Sequence, residues 1–133
     1  MLFRSGSDLI QSDVPVIGIN VFERQHEKLQ YKVEQLYERT RSQFELPPDQ
    51  RQVELLHEYL GDDYGLPTDE MLNAVRLMAR LEGVLLDPVY SGKALAGLID
   101  LIISGRFTTD SKVLFLHTGG LPSLFAYRDV LQS

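Results

Sequence analysis

The chain has 133 residues and 44% hydrophobic content, enough for one modest core and a single domain. Its formal charge of -6, with 13 lysines and arginines scattered along the sequence, excludes the concentrated basic face that a nucleic-acid backbone requires. The absence of cysteine excludes disulfides, thiolate zinc sites and thiol nucleophiles; with no apolar run long enough for a bilayer span or secretory leader, a cytoplasmic protein with no membrane partner is expected.

Val14 to Val21, "VPVIGINV", is nearly continuous and β-branched, which predicts a central parallel strand covered on both faces. From Glu23 the text turns charged while Leu29, Val33, Leu36, Tyr37 and Phe44 recur near helical spacing, so a long amphipathic crossover helix follows and stops at Pro47 and Pro48. "RQVELL" places Val53 and Leu55 two apart, as in a half-buried or edge strand. Thr68 then offers an N-cap, with Asp69 and Glu70 in the first turn of a helix running to about Glu82. The apolar side of that helix, Met71, Leu72, Val75, Met78 and Ala79, reads as core. "GVLLDPVYSGKALAGLIDLIISGRF" gives a short strand, a loop with Pro88, a helix from near Ser91 and a glycine cap at Gly105. The last unit, "VLFLHTGGLPSLFAY", reads as a buried strand, a glycine turn and a helix with Pro122 in its first turn. Alternating strands and helices imply an α/β fold, three-layered, with a mostly parallel sheet between flanking helices.

In such sheets, ligands bind beyond the carboxyl ends of the strands, where loops lead into helix N-termini. "DPVYSGK" and "HTGGLP" both qualify, and together they bring Tyr90, Ser91, His117, Thr118, Gly119 and Gly120 to one crevice suited to a flat, polar or anionic small molecule. Each residue also has a purely structural reading: Ser91 as an N-cap, Tyr90 as half-buried packing, the glycines as turn geometry and His117 as a satisfied strand-end histidine. Lys93 reads as a surface lysine that could assist an anion, and Asp62, Asp63, Tyr64 and Gly65 as a solvated turn. His26 and His57 are not paired at metal-ligand spacing, so no metal is assigned.

"LEGVLLDPVYSGKALAGLIDLI" and "VLFLHTGGLPSLFAY", supported by "DVPVIGINV" and "DDYGLPTDEMLNAVRLMARLEG", resemble the carboxyl-terminal part of the D-cysteine desulfhydrase and 1-aminocyclopropane-1-carboxylate deaminase family. The resemblance spans Asp13 to Tyr127, while the first dozen residues fit the family poorly. It implies a partial tryptophan-synthase-β-like fold, pyridoxal 5'-phosphate as cofactor and a small amino acid as substrate. It further implies that Tyr90 lies beside the cofactor ring and reacting substrate, that Thr118 and secondarily Ser91 address the ring nitrogen, and that the turn of His117, Gly119 and Gly120 borders the ring. Deaminases of this family carry glutamate at the position of Ser91, so the serine resembles the desulfhydrase side. A neutral hydroxyl partner tempers the cofactor's electron sink, because it need not keep the ring nitrogen protonated.

The family's Schiff-base lysine and its phosphate loop belong to an amino-terminal region, and none of Lys28, Lys32, Lys93 and Lys112 matches that lysine's motif. The expectation is a segment of a lyase, inactive by itself, whose partner is the amino-terminal portion or a second copy. The other reading is a non-catalytic α/β interaction module with exposed apolar surface.

Overall fold

A computed structural model describes residues 2–10, 12–46 and 54–132. In chain order the elements are α1 (Leu2–Leu9), β1 (Ile17–Ile19), α2 (His26–Gln43), β2 (Glu54–Leu56), α3 (Asp69–Glu82), α4 (Ser91–Ile103), a 3-10 turn (Leu121–Phe125) and α5 (Arg128–Gln132). They divide into two compact units, one of Met1–Gly18 with Glu23–Leu56, the other of Ile19–Phe22 with His57–Ser133.

In the first unit, α1 lies against α2 through a buried carboxylate rather than through a stripe of leucines. Asp8 pairs with Arg4 one turn earlier at 3.4 Å and with Arg41 at 3.9 Å, and it accepts a hydrogen bond from the Tyr37 hydroxyl. Arg41 also donates to that hydroxyl at 3.2 Å and lies over the Tyr37 ring at 5.3 Å. Burial and the neighbouring Asp8 push the Tyr37 phenol above its usual range. Of the apolar positions expected to cover α2, Tyr37 is buried while Leu36 and Phe44 stay exposed. Two arginines neutralise the one buried acid, which makes this burial tolerable.

β1 and β2 pair in a two-stranded sheet, the sheet present among the described residues. The long central strand expected over 14–21 is therefore a three-residue strand, and Val14 is exposed. The half-buried strand expected in "RQVELL" is found at Glu54–Leu56; Val53 lies outside the described residues, as do Pro47 and Pro48.

The second unit is built on the packing of α3 against α4. Thr68 caps α3 as expected, its hydroxyl accepting the Met71 N–H at 3.2 Å, and Gly83 ends the helix in the left-handed conformation. Met71, Ala74 and Val75 meet Leu95 and Ala96 across the interface, with Leu86 filling its end and Leu72 and Met78 half-buried around it. The close crossing depends on Gly92, where a Cβ would fall 2.7 Å from both the Asp87 carbonyl oxygen and Val75 Cγ2. At the far end of α4 the Gly105 and Arg106 N–H groups return to the Ile102 and Leu101 carbonyls at 3.1 and 2.9 Å, the bonds that a glycine beyond the last turn permits.

Two segments expected as strands form no strand among the described residues. Residues 84–87 and 111–120 carry no regular structure, and Leu114 is 86% exposed, with only Phe115 of the run turned toward the core cluster. A strand exists where a second backbone satisfies its N–H and C=O groups, and among the described residues neither segment is paired into a sheet. Among the described residues no helix is long and apolar enough to cross a membrane.

The Tyr59 ring lies flat on Gly97 and its hydroxyl donates to Asp100 at 2.8 Å. Burial, then the Asp100 carboxylate, push this phenol up to about 12. Because the folded value lies above the unfolded one, the stabilisation is complete below about pH 10 and is lost as pH rises through about 12. Spectrophotometric titration is expected to show Tyr59 as the late-titrating phenol, and Asp100→Asn should bring it down.

Candidate functional site

At the centre of the second unit's candidate face lies Asp87, which is not among the residues expected from the sequence. The side chain is fully buried, and its carboxylate accepts four hydrogen bonds. Oδ1 takes the N–H groups of Val89 at 2.9 Å and Tyr90 at 2.7 Å; Oδ2 takes the Ser91 N–H at 2.8 Å and the Ser91 hydroxyl at 2.5 Å. The Ser91 hydroxyl in return accepts the Asp87 N–H at 2.8 Å. Burial alone raises a carboxyl pKa, but here the bonds from Ser91, Tyr90 and Val89 outweigh it and hold Asp87 below its usual range. A negative charge at the N-terminal end of α4 also complements the helix dipole. The available signal was the Asp-Pro pair four residues before a helix-starting serine, a turn and cap arrangement.

This carboxylate joins the two loops that the sequence reading brings together. Gly120 packs directly on it, so that a Cβ at position 120 would lie 2.5 Å from Asp87 Cγ. His117 Nε2 donates to the Leu85 carbonyl at 2.9 Å, and Nδ1 accepts the Gly119 N–H at 3.0 Å. Since Leu85 offers only an acceptor and Gly119 only a donor, the proton of neutral His117 sits on Nε2. The imidazole thus fixes the turn, and both glycines adopt positive φ, 111° at Gly119 and 94° at Gly120. A Cβ at Gly119 would meet nothing within 4 Å, which leaves open space beside the turn, and Thr118 is exposed.

Tyr90 is 46% exposed and Ser91 is buried. The Tyr90 hydroxyl shares a hydrogen bond with that of Tyr64, and the Tyr64 ring meets Phe22 edge-on with centroids 5.2 Å apart. The bond to Tyr64 and then burial raise the Tyr90 pKa, so the phenol keeps its proton at neutral pH. Tyr64 reads from the sequence as part of a solvated turn; the turn is there and Tyr64 is exposed, with its hydroxyl bonded to that of Tyr90. Lys93, read as a surface lysine, is 1% exposed, and its ammonium donates to the Leu60 and Asp63 carbonyls. Burial pulls its pKa down, partly opposed by Asp63.

The open depression of about 480 Å³ around Arg24, Gln25, His26, Glu27 and Lys28 is formed by consecutive residues entering α2 and includes none of these side chains. Among the described residues no group of three or more histidines, aspartates and glutamates is arranged to hold a metal ion.

A sequence profile for the family described as "Pyridoxal-phosphate dependent enzyme" matches residues 6–119, so the match begins within α1, upstream of the resemblance read from the sequence. Among solved structures, that of an ACC deaminase homologue superposes with a TM-score of 0.84 at 33% sequence identity, covering 96% of this chain. The chain spans 38% of the length of that relative.

Proposed function

Because this chain belongs to the pyridoxal-phosphate dependent enzyme family, we propose that the Asp87–Lys93 loop and the His117–Gly120 turn form one wall of the cofactor site of an amino-acid lyase. The observation that carries this reading is the docking of the two loops on each other through the buried Asp87 carboxylate. The family's members use pyridoxal 5'-phosphate. The residues present fit a flat ring: an exposed phenol, an exposed threonine hydroxyl and a turn with open space at Gly119. When bound, the cofactor supplies an electron sink for bond cleavage beside the substrate amino group.

This chain's residues orient that chemistry. Tyr90, protonated at neutral pH and held by Tyr64, presents its ring to the cofactor and a proton to the leaving group of the substrate. Thr118 addresses the ring nitrogen. Ser91 is the second candidate, but its hydroxyl hydrogen is given to Asp87, so it offers an acceptor lone pair rather than a donor. The Gly119–Gly120 backbone permits close approach, with His117 holding the turn.

The specific activity proposed is D-cysteine desulfhydration, in which D-cysteine and water give pyruvate, ammonia and sulfide. Deamination of 1-aminocyclopropane-1-carboxylate is the alternative, supported by the likeness to the ACC deaminase homologue. Ser91 favours the former, because a glutamate at that position would set a second carboxylate against Asp87 in a buried place. The lysine that carries the cofactor and the phosphate-binding loop are assigned to the remainder of a longer enzyme, in a cytoplasmic setting. The exposed apolar residues Leu114, Leu116 and Leu85 support packing of this segment on that remainder or on a second copy.

The test is Tyr90→Phe in the complete enzyme. Loss of sulfide release from D-cysteine on the order of a hundredfold, with cofactor absorbance retained, is expected. Unchanged activity would remove Tyr90 from the chemistry.

A further inference from the structure

The loop that presents Tyr64 has no regular structure of its own, yet Tyr64 meets Tyr90 across a gap of 26 residues in sequence. A turn of this kind stays in place only if its backbone is held. Lys93 sits in the first turn of α4, three residues after Tyr90, and its buried ammonium donates to the Leu60 carbonyl and, at 3.3 Å, to the Asp63 carbonyl. These two carbonyls bracket the turn immediately before Tyr64. Two further anchors secure its ends: the Tyr127 hydroxyl donates to the Gly65 carbonyl, and Gly61 packs its Cα against Thr68, where a Cβ would fall 2.5 Å from Thr68 Cγ2.

We propose that Lys93 is a positioning residue, a buried latch that joins the first turn of α4 to the 60–64 loop and so sets Tyr64 against Tyr90. The position suits a lysine, since a long apolar stem crosses the interior and the cationic tip satisfies two carbonyls at once. The desolvation of the ammonium is opposed in part by Asp63, whose charge favours the protonated amine, while the two carbonyls accept its hydrogen bonds. The cation thereby couples the geometry of Tyr90, on one side of the loop, to that of Tyr64 on the other. The inference deepens the proposed site but does not require the cofactor, because the coupling is a property of two phenols in this chain. The groups facing the pair are Asp87 behind Tyr90 and Asp63 behind Tyr64.

The absence of cysteine allows an isosteric test. Lys93→Cys, alkylated unfolded and then refolded, gives with bromoethylamine a side chain of lysine's length ending in ammonium, and with bromopropane one of the same length ending in methyl. The titration of Tyr90 is followed by NMR in chains carrying ring-labelled tyrosine, each with and without Tyr64→Phe. In the natural chain and the aminoethyl form, Tyr64→Phe is expected to lower the Tyr90 midpoint. In the propyl form the midpoint should already be lowered and Tyr64→Phe should change nothing further. A propyl form that keeps the full response to Tyr64→Phe would overturn the proposal. Should the propyl form lose its helices by circular dichroism, Gly61→Ala, whose methyl would fall 2.5 Å from Thr68 Cγ2 and strain the loop held by Lys93, must weaken the same response; persistence of the full response there overturns it equally. Failure of the lyase reading would show separately, as absent activity in a complete enzyme whose tyrosines remain coupled.

Discussion

Gly120→Ala is expected to be among the most damaging single substitutions in the second unit. Position 120 has φ of 94°, where an L side chain costs about 1–2 kcal/mol by backbone sterics alone. The added methyl would also fall 2.5 Å from Asp87 Cγ and 2.6 Å from Oδ2. Relief requires movement of the carboxylate or of the turn. The carboxylate is buried and saturated by Val89, Tyr90 and Ser91, so the turn moves and the His117 bonds to Leu85 and Gly119 break with it. A total loss on the order of 3–4 kcal/mol follows, read as a lower midpoint of urea unfolding. Gly119→Ala provides the contrast, because the same kind of φ penalty acts there with open space around the new methyl. It should cost less stability. In the complete enzyme it should weaken cofactor binding, since the methyl would occupy the space assigned to the ring.

Asp87→Ala comes next. It strips the acceptor from three backbone N–H groups and a hydroxyl in a buried place, and each unsatisfied donor costs about 1–3 kcal/mol before relaxation. A net loss of about 3–5 kcal/mol is expected, with α4 fraying at its first turn. Asp87→Asn should cost less, since the amide oxygen still accepts two bonds while its NH2 faces two donors. The acid limb carries a second signature. The folded Asp87 pKa lies below the ordinary 3.8, so the stabilisation is present above that value and is lost as pH falls through the folded one. In Asp87→Asn the dependence of stability on pH below about 4 should flatten relative to the natural chain, as measured by urea unfolding across roughly pH 2–6.

These effects lie where the sequence is least readable. The helices are legible because their signals are local. Thr68 followed by Asp69 and Glu70 marks the start of α3, and a glycine after an apolar run marks the end of α4, since both act through bonds within one turn. The pairing of "DPVYSGK" with "HTGG" is legible from the general rule that loops at strand ends gather ligands, and the contact of Gly120 with Asp87 realises it. The strands expected at 84–87 and 113–116 are not formed among the described residues, because a strand depends on a partner that periodicity cannot supply. Lys93 is misplaced by its sequence because a lysine's burial depends on acceptors elsewhere in the chain, here the Leu60 and Asp63 carbonyls. Tyr64 reads by its flanking turn residues, which describe the backbone correctly and say nothing of where the ring goes. Asp87 is hidden by its neighbours in the motif, although its carboxylate organises them.

In the proposed enzyme this segment supplies a wall of the cofactor site and not the lysine that carries the cofactor. That assignment is tested most directly by incubating the purified chain with pyridoxal phosphate, reducing with borohydride and mapping phosphopyridoxyl adducts by mass spectrometry. No stoichiometric adduct is expected at any one of Lys28, Lys32, Lys93 and Lys112, least of all at Lys93, whose ammonium is buried and bonded to two carbonyls. A stoichiometric adduct on a single lysine would contradict the assignment, because the segment would then hold a covalent anchor of its own.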